Sequence, residues 1–319
     1  MIRLTWRLAR PNILSSVALL AAVALFVILT RRSISGYLDH SGLNGCLVTG
    51  GDCESLVDRF NTKFDTVINA SALVNLVPIL TGIFWGAPLM AREIEQGTHR
   101  LAWTQSASRG RWFATKLGIF LLGAAAVAAV VSELMTWWFA PIQHLRQGTA
   151  DNFSRLAPDV FDFRGIVPVA YTLFAFALGV AAGAIVKRTV AAIVTTLVIY
   201  IPVKAVVREV RGRYQEPQHL TYPLGTDSPR AGRGDWIMDH VTIDGSGNIV
   251  NRINVPEVCR TMPDGQLKAC MGEHGYRFVD TIQPIERFWT FQFIESGIFV
   301  GLGIVLLAVA TWWVIRRAS

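Results

Sequence analysis

Residues 165–207 read GIVPVAYTLFAFALGVAAGAIVKRTVAAIVTTLVIYIPVKAVV, two long apolar runs parted by Lys187, Arg188 and Thr189. A hydrocarbon core about 30 Å thick is crossed by roughly 20 apolar residues in a helix. The runs Gly165–Val186 and Val190–Val207 meet or approach that length. Every backbone amide in lipid must be satisfied within its own segment, so both are expected to be helices. Four more runs extend the pattern in both directions: Ile13–Leu29, Val67–Met90, Phe113–Met135 and Phe291–Ile315. The first is short for a span and needs its flanks. Charged residues make up 17% of the 319 residues and hydrophobic ones 52%, whereas soluble domains carry about 25% charge. Six such runs fill too much of the chain for a soluble protein with buried helices. Arg3, Arg7 and Arg10 precede the first run, which lacks a small-x-small cleavage site and runs on into Thr30-Arg31-Arg32. It is expected to be an uncleaved signal anchor.

With six spans both termini lie on one side, and the short loops choose that side by their lysines and arginines. With the termini in the cytoplasm, the amino-terminal segment, the loop after span two, the Lys187-Arg188 turn and the Arg316-Arg317 tail share twelve basic residues against Glu93 and Glu95. The opposite loops are nearly balanced in charge. The net charge of +7 is therefore expected to report topology and not a nucleic-acid partner. Cys46, Cys53, Cys259 and Cys270 all fall in the loops assigned to the outer side. Two disulfides are expected there, most simply Cys46–Cys53 and Cys259–Cys270, although four cysteines allow three connectivities. No metal is expected, since the spacings match no common zinc pattern.

The fold class expected is an all-α membrane protein of six transmembrane helices, both termini cytoplasmic. A small disulfide-stapled extracellular α+β insertion sits between helices five and six. Residues 1–204 hold the first five helices and a cytoplasmic loop at 91–112, residues 205–289 the extracellular domain, and 290–319 the sixth helix and its tail. Within the insertion, the stretch from His240 to Ile253 places β-branched residues on both sides of a Gly-rich turn and predicts a hairpin. Ala175, Gly179 and Gly183 in helix four, and Gly297 and Gly301 in helix six, have the spacing that lets helices approach closely. Helix two stacks Ser71, Asn75, Pro78, Gly82 and Gly86 on one face. That stripe suits either a wet path or a tight helix–helix seam. Glu133 and Glu295, beside aromatic residues near the outer interface, read as interfacial acids, paired with Lys204 or Arg208, or as the lining of an outward vestibule. The pathway-lining candidates are Ser71, Asn75, Gly82, Glu133 and Glu295.

The sequence contains no GxxxxGK[ST] phosphate loop, no HExxH and no GxSxG, and its six histidines are scattered. No catalytic residue and no bound cofactor are expected. Work must then enter from outside, and the sizeable cytoplasmic surface is AREIEQGTHRLAWTQSASRGRW, residues 91–112. Its first six residues prolong helix two, Gly97-Thr98 breaks the helix, and the rest returns basic and amphipathic to helix three.

The string Arg92-Glu93-Ile94-Glu95-Gln96-Gly97-Thr98 resembles the motif after the second span of ABC-2 type permeases. The longer GAPLMAREIEQGTHRLAWTQSASRGRW and Gln283-Pro284-Ile285-Glu286-Arg287-Phe288-Trp289-Thr290-Phe291-Gln292 resemble actinobacterial members of that family. The resemblance spans the membrane part: an amphipathic amino-terminal helix, six spans and a coupling loop. It implies the permease subunit of an ATP-driven exporter in the plasma membrane, moving an amphiphilic substrate such as a drug, peptide or lipid. ATP and Mg would be used by a separate ABC ATPase subunit. The other partners would be a second permease copy or paralogue and the membrane lipid. By analogy Arg92, Glu93, Glu95, Gly97, Thr98 and Arg100 would couple to the ATPase, the two acids meeting its basic groups. The enlarged last outer loop departs from the short re-entrant hairpin usual in the family. Two other readings stand beside this one: a membrane-anchored sensor or adaptor whose extracellular domain binds a ligand without transport, and a lipid-directed enzyme, for which no catalytic cluster is present.

Overall fold

A computed structural model describes residues 2–43, 45–46, 53–96, 109–146, 154–226, 228–230, 233–250 and 256–317. Among the described residues six helices are long and apolar enough to cross a membrane: Leu20–His40, Ser55–Glu95, Gly110–Ile142, Val167–Val186, Thr189–Arg213 and Ile285–Arg316. These are the six expected spans, most of them longer than their apolar runs. Polar turns at the ends continue the helical hydrogen bonding where water satisfies the side chains. The first span belongs to one continuous helix, Ile2–His40, so no break separates an amino-terminal amphipathic helix from it. Both expected disulfides are present, Cys46–Cys53 and Cys259–Cys270.

The chain forms two compact units. One comprises Met1–Ile142, Phe161–Glu209 and Gln292–Ser319; the other comprises Gln143–Val160 and Val210–Phe291. The first is the helical bundle. Its second span is irregular: a 3-10 stretch at Ala72–Leu76 and a π turn at Gly82–Gly86 interrupt the α-helix. The fourth span is its axle, with 16 of the 20 residues in Val167–Val186 buried. An apolar core of Leu89, Met90, Phe113, Phe120, Phe176, Val180 and Val314 joins spans two, three, four and six. Small residues explain the closest packing. A methyl on Gly179 would stand 2.3 Å from the Gly82 carbonyl oxygen, and one on Gly183 would stand 2.4 Å from that of Ala87. Glycine is required there because two backbones touch.

The same spacing in the sixth span is not used in this way. Where a methyl would stand on Gly297 or Gly301 there is nothing within 4 Å, and Gly303 is the residue that meets Phe174 and Ala177. The sixth span turns Glu295 and Phe299 inward, which leaves the Gly297–Gly301 face bare among the described residues.

The second unit is a three-stranded antiparallel sheet ordered β1-β3-β2, with β1 Gln218–Pro223, β2 Trp236–Ile243 and β3 Arg277–Gln283. The expected hairpin is realised only in its turn. Asp244 accepts hydrogen bonds from the backbone N–H groups of Asn248 (3.0 Å) and Ser246 (2.8 Å), and these hold its carboxyl below the usual range. Beyond the turn a single bridge, Ile243 to Ile249, is made, and residues 251–255 lie outside the described set. β2 instead pairs along its length with β3. Leu224, Cys259, Cys270 and Met271 form a small core around the second disulfide, the staple expected where apolar area is scarce.

Candidate functional site: the roots of the 91–112 loop

The second span leaves its π turn as the helix Ala87–Glu95, with Pro88 in the first turn, where a missing N–H costs nothing. Ala87, Leu89, Met90 and Ala91 are buried, and Arg92 and Glu95 face outward. Both acids of the loop are engaged inside the chain. Glu93 forms an ion pair with Lys116 of the third span, and Lys116 Nζ also donates to the Leu89 carbonyl at 3.1 Å. Glu95 Oε2 accepts the backbone N–H of Thr189 at 3.0 Å and its hydroxyl at 2.8 Å. Thr189 opens the fifth span, so Glu95 caps that helix from another helix. A carboxylate at a helix N-terminus satisfies an orphan donor and complements the helix dipole. The turn preceding it is tight: Lys187 takes the left-handed conformation, φ 62°, and closes the fourth span with an N–H bond to Gly183. Gly97, Thr98 and Arg100 lie outside the described residues.

A second polar centre lies at the opposite end of the fourth and sixth spans. Gln292 Oε1 accepts the N–H groups of Ile166 (2.9 Å) and Val167 (3.0 Å) and so caps the fourth span. Gly165, at φ +71°, has no side chain because one would collide with that amide. Glu295 is fully buried and accepts from the Tyr171 hydroxyl, which also lies 3.2 Å from Asp162 Oδ1. Lys204 Nζ sits 3.2 Å from Asp162 Oδ2 and 4.8 Å from the centre of the Tyr171 ring. Lys204 thus pairs with Asp162, which no motif marks, and not with Glu133 or Glu295 as expected.

The pathway-lining candidates are not gathered in one place. Ser71 is buried, its hydroxyl donating to the Ile68 carbonyl at 2.6 Å. Asn75 Oδ1 is buried without a hydrogen-bond partner among the described residues. Asn75 lines a small cavity with Pro78, Val131, Asp162 and Thr172. Gly82 is occupied by the seam with the fourth span. Glu133 is exposed in an open concavity beside Val130 and Trp137. Glu295 is shut inside the bundle.

The second unit repeats the theme of polar joints. Gln283 donates to the carbonyls of Gly212 (2.8 Å) and Gln215 (2.7 Å). Arg287 donates to the Glu216 carbonyl and Gln283 Oε1, both at 2.7 Å. Arg230 binds Asp235 and Glu286, and these bonds, Asp235 first, push its guanidinium pKa further up. Of the stretch 283–292, singled out by resemblance, Gln283 and Arg287 therefore tie the end of β3 to residues 212–216 within the second unit. His274 Nδ1 lies 3.9 Å from both Cys259 and Cys270 sulfurs. Those sulfurs are bonded to each other, and the imidazole is hydrogen-bonded to the Cys270 carbonyl at 2.8 Å.

Neither the curated proteins nor the solved structures give a significant match to this chain. The family model described as ABC-2 membrane transporter related matches residues 17–211, which take in the first five spans, the 91–112 loop and the Glu95–Thr189 cap. With six apolar helices around that match, the chain is a membrane permease that belongs to the ABC-2 membrane transporter related family.

Proposed function

We propose that this permease is the membrane-spanning subunit of an ATP-driven exporter in the plasma membrane, with both termini and the 91–112 loop in the cytoplasm. A separate ABC ATPase docks on that loop, hydrolyses ATP with Mg, and drives efflux of an amphiphilic substrate. The pathway forms between two copies, or between one copy and a related chain. The observation that carries this reading is the rooting of the loop: its first helical turns are tied to the third span through Glu93–Lys116 and to the fifth through Glu95–Thr189. A surface loop with no transmitted load does not need bonds to two further spans. Arg92 is exposed where the loop departs, and Arg92, Gly97, Thr98 and Arg100 are the residues assigned to ATPase coupling in this reading. Asn75, which borders a small cavity, and Glu133, which lies in an open concavity, are the pathway candidates this reading favours. ATP biases the permease only through contacts that differ between its two states.

Copurification of the full chain with candidate ATPases, followed by ATP hydrolysis assays in lipid nanodiscs, tests the proposal. The expected outcome is a complex that the double reversal Arg92→Glu/Arg100→Glu disrupts at least tenfold. A chain that binds no ATPase, or labelling that finds the loop outside the cell, defeats it.

A further inference from the structure

The fourth and fifth spans follow one another in the chain but are held very differently. In Thr189–Val210 only Ala192, Thr196, Tyr200 and Val207 are buried among 22 residues. Val190, Val194, Val198 and Ile201 are 74, 52, 64 and 59% exposed. The second and fourth spans, by contrast, meet backbone to backbone at Gly82, Gly86, Gly179 and Gly183. A displacement of the 91–112 loop reaches the fourth span as part of one packed body, because close-packed interfaces transmit strain. The fifth span meets that body through a small apolar contact, Ala192 and Ile193 against Ala87, Ala91 and Ala182, through Tyr200 stacked on Phe174 and Lys204 on Asp162 further along, and, at the loop end, through the two hydrogen bonds it donates to Glu95. Those bonds are directional, and they are made by the last residue of the helix that leads into the loop.

We infer that the fifth span is the moving helix of this permease and that Glu95 is the positioning residue that drives it, by holding the Thr189 end to the loop. The exposed Glu95 carboxylate is therefore committed to its own chain rather than to the ATPase. The inference rests on the coupling role proposed above and specifies its internal route.

The test uses the full chain in lipid nanodiscs with its copurified ATPase. An environment-sensitive fluorophore is placed at Val198→Cys in the fifth span or, for comparison, at Ile185→Cys in the fourth; the described residues contain no free cysteine to compete. Addition of ATP and Mg is expected to shift emission at position 198 at least fivefold more than at 185. Glu95→Ala is expected to remove most of the shift at 198 while the ATPase stays bound. Glu95→Gln, which keeps an acceptor oxygen, restores part of it, and Thr189→Ser leaves it intact. A shift that survives Glu95→Ala overturns the inference, as does loss of the ATPase from that variant, which would make Glu95 a docking contact. Without any ATPase, hydrogen exchange at the Thr189 amide is expected to speed up at least tenfold in Glu95→Ala. Unchanged exchange overturns the clamp alone. A parent chain that binds no ATPase overturns the proposed function and this route with it.

Discussion

The fourth and fifth spans are joined by a two-residue turn and are similarly apolar, yet one is an axle and the other is hung at its edges. In the fourth, glycines and alanines bring neighbouring backbones into contact, and Gln292 closes the amino-terminal end. In the fifth, valines and isoleucines stand clear of the bundle on one face, and polar residues attach the helix near its two ends: Glu95 at Thr189 and Asp162 at Lys204. Lipid is as apolar as a side chain, so hydrophobicity alone does not decide which helices pack. Shape and hydrogen bonds decide it. Helices so differently held also differ in how readily they move.

The contrast can be broken most sharply at its tightest point. Gly179→Ala places a methyl where 2.3 Å separates it from the Gly82 carbonyl oxygen, and overpacking of this kind costs about 1–3 kcal/mol. Thermal unfolding in detergent is expected to show a clear loss, while Gly301→Ala in the bare face of the sixth span leaves the transition in place. A somewhat smaller effect is expected from Gln292→Leu, which deprives Ile166 and Val167 of their acceptor; losing a cap costs about 1 kcal/mol. Hydrogen exchange should localise that loss to the first turn of the fourth span. The smallest change is expected from Val198→Ala, whose side chain touches little within this chain. Its unfolding transition should move by less than about 0.5 kcal/mol. A large loss there would mean that the exposed face of the fifth span is already packed against a second subunit, and the contrast would have to be redrawn for the assembly.

Much of this architecture was legible from residue order because membrane thickness imposes a length on every span. The pairing of Cys46 with Cys53 and of Cys259 with Cys270 was legible for a related reason: short separations favour local closure. What the small-residue pattern could not reveal was its partner. Gly179-x-x-x-Gly183 packs because Gly82 and Gly86 offer a matching face, whereas Gly297-x-x-x-Gly301 meets nothing among the described residues. Local spacing states that a helix can be approached closely, not that it is. The polar contacts were hidden for the same reason. Glu295 meets Tyr171 across 124 positions and Glu95 meets Thr189 across 94, distances over which no periodicity operates. The stripe on the second span, open between path and seam, divides: Gly82 and Gly86 belong to the seam, and Asn75 borders a cavity.

The π turn at Gly82–Gly86 has one further consequence. A wide turn of this type accommodates a surplus residue within an otherwise regular helix, and each residue of an α-helix advances the azimuth by about 100°. The five residues GIFWG therefore set the angular phase between the half of the second span that carries Asn75 and the half that carries Glu93 and Glu95. Deleting the surplus residue there would return the turn to α-helical winding and leave both acids on their present face, whereas a deletion in the regular helix Ala87–Glu95 ahead of them would turn them by about 100°, away from Lys116 and Thr189.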